Sequence, residues 1–213
     1  YARQVFRHVD AAEAAHLPAI VAENEHGVVT ELSWKELRRR AASLALELRR
    51  HGVGRGDRVA AYLPNIPETA IAMLACASVG AIWTVCSPDM GTRAVLDRFR
   101  QTTPKALIAV DGVYYGGKSM DRSAVVEEIR RELPSVAALF VLETGHGAAK
   151  ISGRSDLALA MSRDDAEVAA FEPEWLSFDH PLWILYSSGT TGLPKPIVHG
   201  HGGIIVSACA GHL

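Results

Sequence analysis

The stretch RVAAYLPNIPETAIAMLACASVGAIWTVC, residues 58–86, decides the fold. Arg58–Leu63 is a short apolar run of strand length, and Pro64, Asn65 and Pro67 then break it. Glu68–Val79 is apolar at helical length, and Ile82–Cys86 returns to β-branched and aromatic residues. Strand, helix and strand in that order describe a crossover between parallel strands. No residue between Glu68 and Asp89 is charged, nearly enough to span a bilayer. Gly80 divides that stretch into a helical half and a β-rich half, so a buried helix–strand pair explains it better.

Working outward, the alternation continues to Leu142. Gly91–Thr102 reads as a helix, Lys105–Val110 as a strand, Ser119–Leu133 as a helix and Ala137–Leu142 as a strand. Toward the N-terminus, Ala19–Glu23 and Val28–Leu32 flank the polar turn Asn24-Glu25-His26-Gly27 and predict a β-hairpin. Ser33 starts a helix, with Glu36 completing a capping box, and His51-Gly52 end it. Gly145–Ala170 is less regular, with a surface helix predicted around Asp164–Ala170, and a last strand is expected at Leu182–Tyr186. The class is α/β: a mostly parallel sheet flanked by helices, with an N-terminal β-hairpin.

Bulk properties set limits on function. Hydrophobic residues make up 48% and charged residues 22%, the balance of a globular protein with a core. The formal net charge of -2 offers no basic excess to attract nucleic acid or an anionic membrane, so neither is an expected partner. The cysteines, Cys76, Cys86 and Cys209, form no metal or redox spacing, which fits a reducing, cytoplasmic setting. His199 and His201 lie two apart with no third ligand near in sequence, so they are read as loop and helix-cap residues rather than a metal site. The chain opens without Met or a secretory signal and stops at Leu213 within an expected helix, so it is read as an excerpt of a longer protein.

Ser187-Ser188-Gly189-Thr190-Thr191-Gly192-Leu193-Pro194-Lys195-Pro196 carries the chemistry. Glycine lets backbone N–H groups converge on an anion. The hydroxyls add neutral donors, and Lys195 supplies a cation. Pro194 and Pro196 forbid an immediate helix, so the chain should run extended through Ile197-Val198-His199 before a helix near Gly203. This separates the loop from a Walker A motif, whose lysine opens a helix.

A second segment, Gly112-Val113-Tyr114-Tyr115-Gly116-Gly117-Lys118-Ser119, fits Walker A letter for letter, between a predicted strand and a predicted helix. Ala137–Glu143 is apolar and ends in an acid, loosely like a Walker B strand. A P-loop NTPase is therefore the rival reading, although it leaves Ser187–Pro196 unexplained and does not put its nucleotide strand first.

Tyr186–Lys195 resembles the phosphate-loop signature of the adenylate-forming superfamily of acyl-CoA synthetases, luciferases and peptide-synthetase adenylation domains. Leu32–Leu37, Gly56-Asp57-Arg58-Val59 and Pro64–Glu68 are similar to further segments of that superfamily. Cys86–Gly91 and Pro196–Gly203 look most like its acetoacetate-activating branch. The resemblance implies that a carboxylate attacks the α-phosphate of ATP, with Mg2+ as counter-ion, and that coenzyme A then takes the acyl group. On it, Thr190, Thr191 and Lys195 are catalytic, and Ser187, Ser188, Gly189 and Gly192 hold the ATP phosphates. Tyr115, Gly116, Gly117 and Lys118 would contact coenzyme A, with Lys118 near a helix N-terminus. Residues 1–213 would then be an incomplete N-terminal AMP-binding domain lacking a mobile C-terminal domain of the same chain. Alone, the piece is expected to be inactive, at most a non-catalytic nucleotide- or CoA-binding module.

Overall fold

A computed structural model describes residues 1–187 and 192–211. Two short helices, α1 (Ala2–Phe6) and α2 (Val9–Ala14), precede a hairpin of β1 (Ile20–Glu23) and β2 (Val29–Leu32). Then come α3 (Trp34–Arg50), β3 (Arg58–Tyr62), α4 (Pro67–Ser78), β4 (Ile82–Cys86), α5 (Thr92–Phe99) and β5 (Ala106–Val110). A second hairpin, β6 (Gly112–Tyr115) with β7 (Lys118–Asp121), is followed by α6 (Ser123–Glu132) and β8 (Ala138–Leu142). The short elements β9 (Ser155–Asp156), α7 (Leu157–Ala160) and α8 (Ala166–Ala169) lead to β10 (Pro181–Ser187), β11 (Lys195–Gly200) and α9 (His201–Ala210).

Among the described residues the main sheet has the order β11-β10-β4-β3-β5-β8-β9. Its pairs are parallel except β10 with β11. The central strands are buried on both faces, with alternate residues serving alternate layers. Val59 and Ala61 belong to one core cluster, and Ala60 and Tyr62 to the other. Leu74 and Ala75 of α4 pack in the first cluster, whereas Phe99 of α5 and Ile129 of α6 pack in the second. The loops leaving β3 and β4 therefore turn to opposite faces of the sheet. That reversal opens a crevice at the carboxyl edge, the place where open α/β sheets bind ligands.

Local chemistry explains the element boundaries. The Ser33 hydroxyl accepts from the Glu36 N–H at 3.2 Å and caps α3. Only half of the expected capping box forms, because the Glu36 carboxylate turns outward to Arg39, at 2.6 and 2.8 Å. After α3, Gly52 adopts φ +76 and Val53 N–H reaches the Leu48 carbonyl at 2.9 Å, ending the helix as predicted. The helix expected from Ser119 starts four positions later, at Ser123, since residues 118–121 form a strand instead.

Candidate functional site

The strand pairing of β10 and β11 sets Ser187 opposite Lys195 and Tyr186 opposite Pro196. The loop joining them therefore leaves the sheet at the carboxyl end of β10, alongside the ends of β4 and β3. Ser188, Gly189, Thr190 and Thr191 lie outside the described residues. Of the others, Ser187 is half-buried, and Gly192 is exposed with φ +121, a conformation that favours glycine. Lys195 is exposed at the start of β11. As expected, the chain then runs extended through residue 199 before α9 begins. Pro196 sits on an edge strand, the kind of strand to which proline is confined within sheets. On the far side, the Gln101 amide donates to the Pro194 carbonyl at 2.9 Å, tying the loop to the end of α5.

The floor beneath this edge is rigid. Tyr186 donates its hydroxyl to the Arg98 carbonyl at 2.9 Å, and the Arg98 guanidinium lies 5.7 Å from the Tyr186 ring. The Tyr62 hydroxyl lies 2.8 Å from the Pro88 carbonyl and 3.0 Å from that of Met90. Arg122 Nε also donates to Pro88, at 2.6 Å, so the loop after β4 is pinned from two elements. Burial pushes the Tyr62 phenol up to about 12 and the Cys86 thiol to about 12, keeping both neutral. Cys76 is shifted upward by the same cause, so neither buried cysteine is poised as a nucleophile.

The Walker-like segment is not a phosphate cradle opening a helix. Gly116 and Gly117 adopt φ +60 and +75, the left-handed pair that reverses a chain in two residues. Tyr115 consequently pairs with Lys118 across an antiparallel hairpin, and Lys118 does not stand at a helix N-terminus. Gly112 has a different reason to be glycine: a Cβ there would meet the His146 backbone at 2.5 Å. Glu143, the acid of the Walker B-like strand, pairs with Arg154. The P-loop reading falls with that geometry.

What the second hairpin does build is the wall of a cleft of about 570 Å³. Both hairpins line it, together with Pro64, Asn65 and Ser87 from the loops after β3 and β4. It therefore occupies the switch-point crevice. Tyr114 packs between two histidine rings, 4.3 Å from His26 and 6.0 Å from His146. The Glu25 carboxylate accepts from the Gly116 N–H at 2.9 Å and from the Gly117 N–H at 3.0 Å. Sequence reasoning missed Glu25, His26 and His146, and read the first hairpin only as structure. The available signal was Gly116-Gly117, a turn whose amides face outward and need an acceptor.

His201 is buried at the start of α9 with its ring 5.5 Å from that of His180, and it makes no side-chain cap. Its Nδ1 lies 3.1 Å from the Tyr1 terminal ammonium, and burial, followed by that charge at the start of this sequence, pushes it down to about 4. Among the described residues no three His, Cys, Asp or Glu side chains gather to hold a metal. No described helix is long and apolar enough to cross a membrane.

A family model described as AMP-binding enzyme matches residues 7–212. The chain is 44% identical over 196 residues to the acetoacetyl-coenzyme A synthetase of Rhizobium meliloti (strain 1021), covering 91% of this chain and 30% of that protein. It is 36% identical over 220 residues to the acetoacetyl-CoA synthetase of Macaca fascicularis, covering 100% of this chain and 32% of that one. The solved acetoacetyl-CoA synthetase from Streptomyces lividans superposes with a TM-score of 0.89 at 47% identity, over 97% of this chain and 31% of the other. The chain thus spans about 30% of the length of the relatives it matches. A family match across nearly every residue, joined to a parallel sheet carrying a hydroxyl-rich loop at its ligand edge, assigns the chain to the AMP-binding enzyme family.

Proposed function

We propose that the chain is the N-terminal part of an AMP-forming acid–thiol ligase acting on acetoacetate. In the first step an oxygen of the acid's carboxylate attacks the α-phosphorus of ATP. A new P–O bond forms, the bond from that phosphorus to the β-phosphate bridging oxygen breaks, and pyrophosphate leaves. In the second step the sulfur of coenzyme A attacks the acyl carbon, and the acyl–oxygen bond breaks to release AMP. A free carboxylate is a poor electrophile, whereas the mixed anhydride carries AMP as a good leaving group. Magnesium comes with ATP as its counter-ion and belongs to that substrate.

The observation that carries this reading is the register of β10 and β11, with Ser187 facing Lys195 at the carboxyl edge of a parallel sheet. Lys195, Thr190 and Thr191 would stabilise charge as pyrophosphate departs, and Ser187, Ser188, Gly189 and Gly192 would cradle its phosphates. Tyr115, Gly116, Gly117 and Lys118, at the tip of the second hairpin, would meet the phosphates of coenzyme A. In the strand order β10-β4-β3-β5, three strand spacings separate β10 from the strand that feeds this hairpin, roughly 14 Å. That span suits two loops serving two substrates rather than one. The acyl identity follows the names of the relatives, and the mobile C-terminal domain would complete the full-length enzyme. The unbridged thiols support a reducing, cytoplasmic setting.

Two variants of the full-length enzyme test the division of labour. Lys195→Ala should slow acetoacetate-dependent pyrophosphate–ATP exchange by about 10²- to 10³-fold, the usual scale for one preorganised electrostatic contact. Lys118→Ala should raise the KM for coenzyme A, so its effect falls on the second half-reaction. Exchange that survives Lys195→Ala undiminished would overturn the reading of the loop.

A further inference from the structure

The turn at Gly116-Gly117 is already occupied. Both oxygens of Glu25 are used, one on each of two adjacent amides, at 2.9 and 3.0 Å. Successive N–H groups converging on one anion form the same kind of nest that holds phosphate oxygens. Those two donors hold the Glu25 carboxyl below its ordinary value, Gly117 contributing most. The carboxylate is presented from the other hairpin, where Asn24 Oδ1 accepts from the N–H groups of His26 and Val28, both at 3.0 Å, and fixes the turn. His26, the next residue, lies against Tyr114 on the opposing hairpin. Glu25 is exposed, so water can replace either of its bonds and the clasp can open without uncovering the core.

We propose that Glu25 is a specificity residue of this turn: its carboxylate stands in for a ligand phosphate on the Gly116 and Gly117 amides, and a phosphorylated thiol docks by displacing it. The inference rests on the reading of this hairpin as the coenzyme A contact and adds a competitor to it. A neutral thiol gains nothing from the nest and leaves Glu25 seated. A phosphorylated one exchanges a carboxylate for a phosphate of higher charge, and Glu25, released, swings into solvent. Occupancy by Glu25 thus weakens every anion at this turn by the same factor, while acceptors without phosphate are unaffected.

The test compares coenzyme A with pantetheine, the same thiol arm without phosphates, in the full-length enzyme. Glu25→Gln and Glu25→Ala remove the competing charge. Both should raise kcat/KM for coenzyme A about two- to five-fold, the scale of one exposed charged contact, and leave that for pantetheine unchanged. Acetoacetate-dependent pyrophosphate exchange checks that each variant is folded. No change with coenzyme A, a loss, or an equal change with both thiols would overturn the proposal, since a merely structural clasp moves the two acceptors together. Lys118→Ala judges the underlying reading separately. If it leaves the coenzyme A KM unaltered, the hairpin is not the coenzyme A contact, whatever Glu25→Gln does.

Discussion

Single residues in this chain do two kinds of work, and burial separates them. His201 is 3% exposed, and its neutral imidazole is the form the fold accepts. Its ordinary value is 6.5 and burial lowers it to about 4. As pH falls below about 6.5 the unfolded chain takes the proton first, so stability drops through that window until the folded imidazole also titrates near 4. His201→Asn in the 213-residue chain should therefore lose less stability between pH 7 and pH 5 than the parent, read as the shift in urea midpoint. An equal loss in both proteins would show that this imidazole stays hydrated. Glu25 and Lys195 belong to the other kind, exposed groups whose value lies in what they meet. The sequence made Lys195 conspicuous, held between two prolines. Nothing adjacent in sequence pointed from Glu25 to Gly116, because the two are far apart in the chain and only folding joins the hairpins.

Elements were legible where local chemistry allows one outcome. Helix α3 follows from Ser33, a helical apolar stripe and Gly52, and Ser33→Ala should remove about 1 kcal/mol of stability. In a thermal melt of the 213-residue chain that is a lowering of about 2–4 degrees, and an unchanged melt would mean that the cap bond at 3.2 Å contributes nothing. Elements were misread where the same letters serve two conformations. Gly-Gly-Lys-Ser can wrap a phosphate and open a helix, or reverse a hairpin, and both use glycines at positive φ. Here the pairing of Gly112–Tyr115 with Lys118–Asp121 decided for the hairpin. Gly112→Ala tests that arrangement from its base, since the new methyl would clash with the His146 backbone 2.5 Å away. Overpacking of this kind costs about 1–3 kcal/mol, and the melt should report it alongside a weakened coenzyme A KM.

At the scale of the whole molecule, a twisted parallel sheet is held between two apolar layers, and its strands are most deeply buried at the centre. Phe140, fully buried on β8, packs in the layer shared by α3 and α4. Phe140→Ala should cost about 3–5 kcal/mol, seen as a fall in denaturation midpoint or as loss of soluble protein. A change below about 1 kcal/mol would mean that the site can collapse around the cavity. The α/β class, the order of most elements and the hydroxyl-rich motif after Tyr186 were set by the sequence itself, because periodicity, prolines and glycines act over a few residues. Tertiary structure alone decided which strands became neighbours, that the loops after β3 and β4 diverge to open a crevice, and that a carboxylate from one hairpin sits on the amides of another. Those outcomes depend on pairings between distant segments, whose gain appears only when the sheet closes and both layers are buried together.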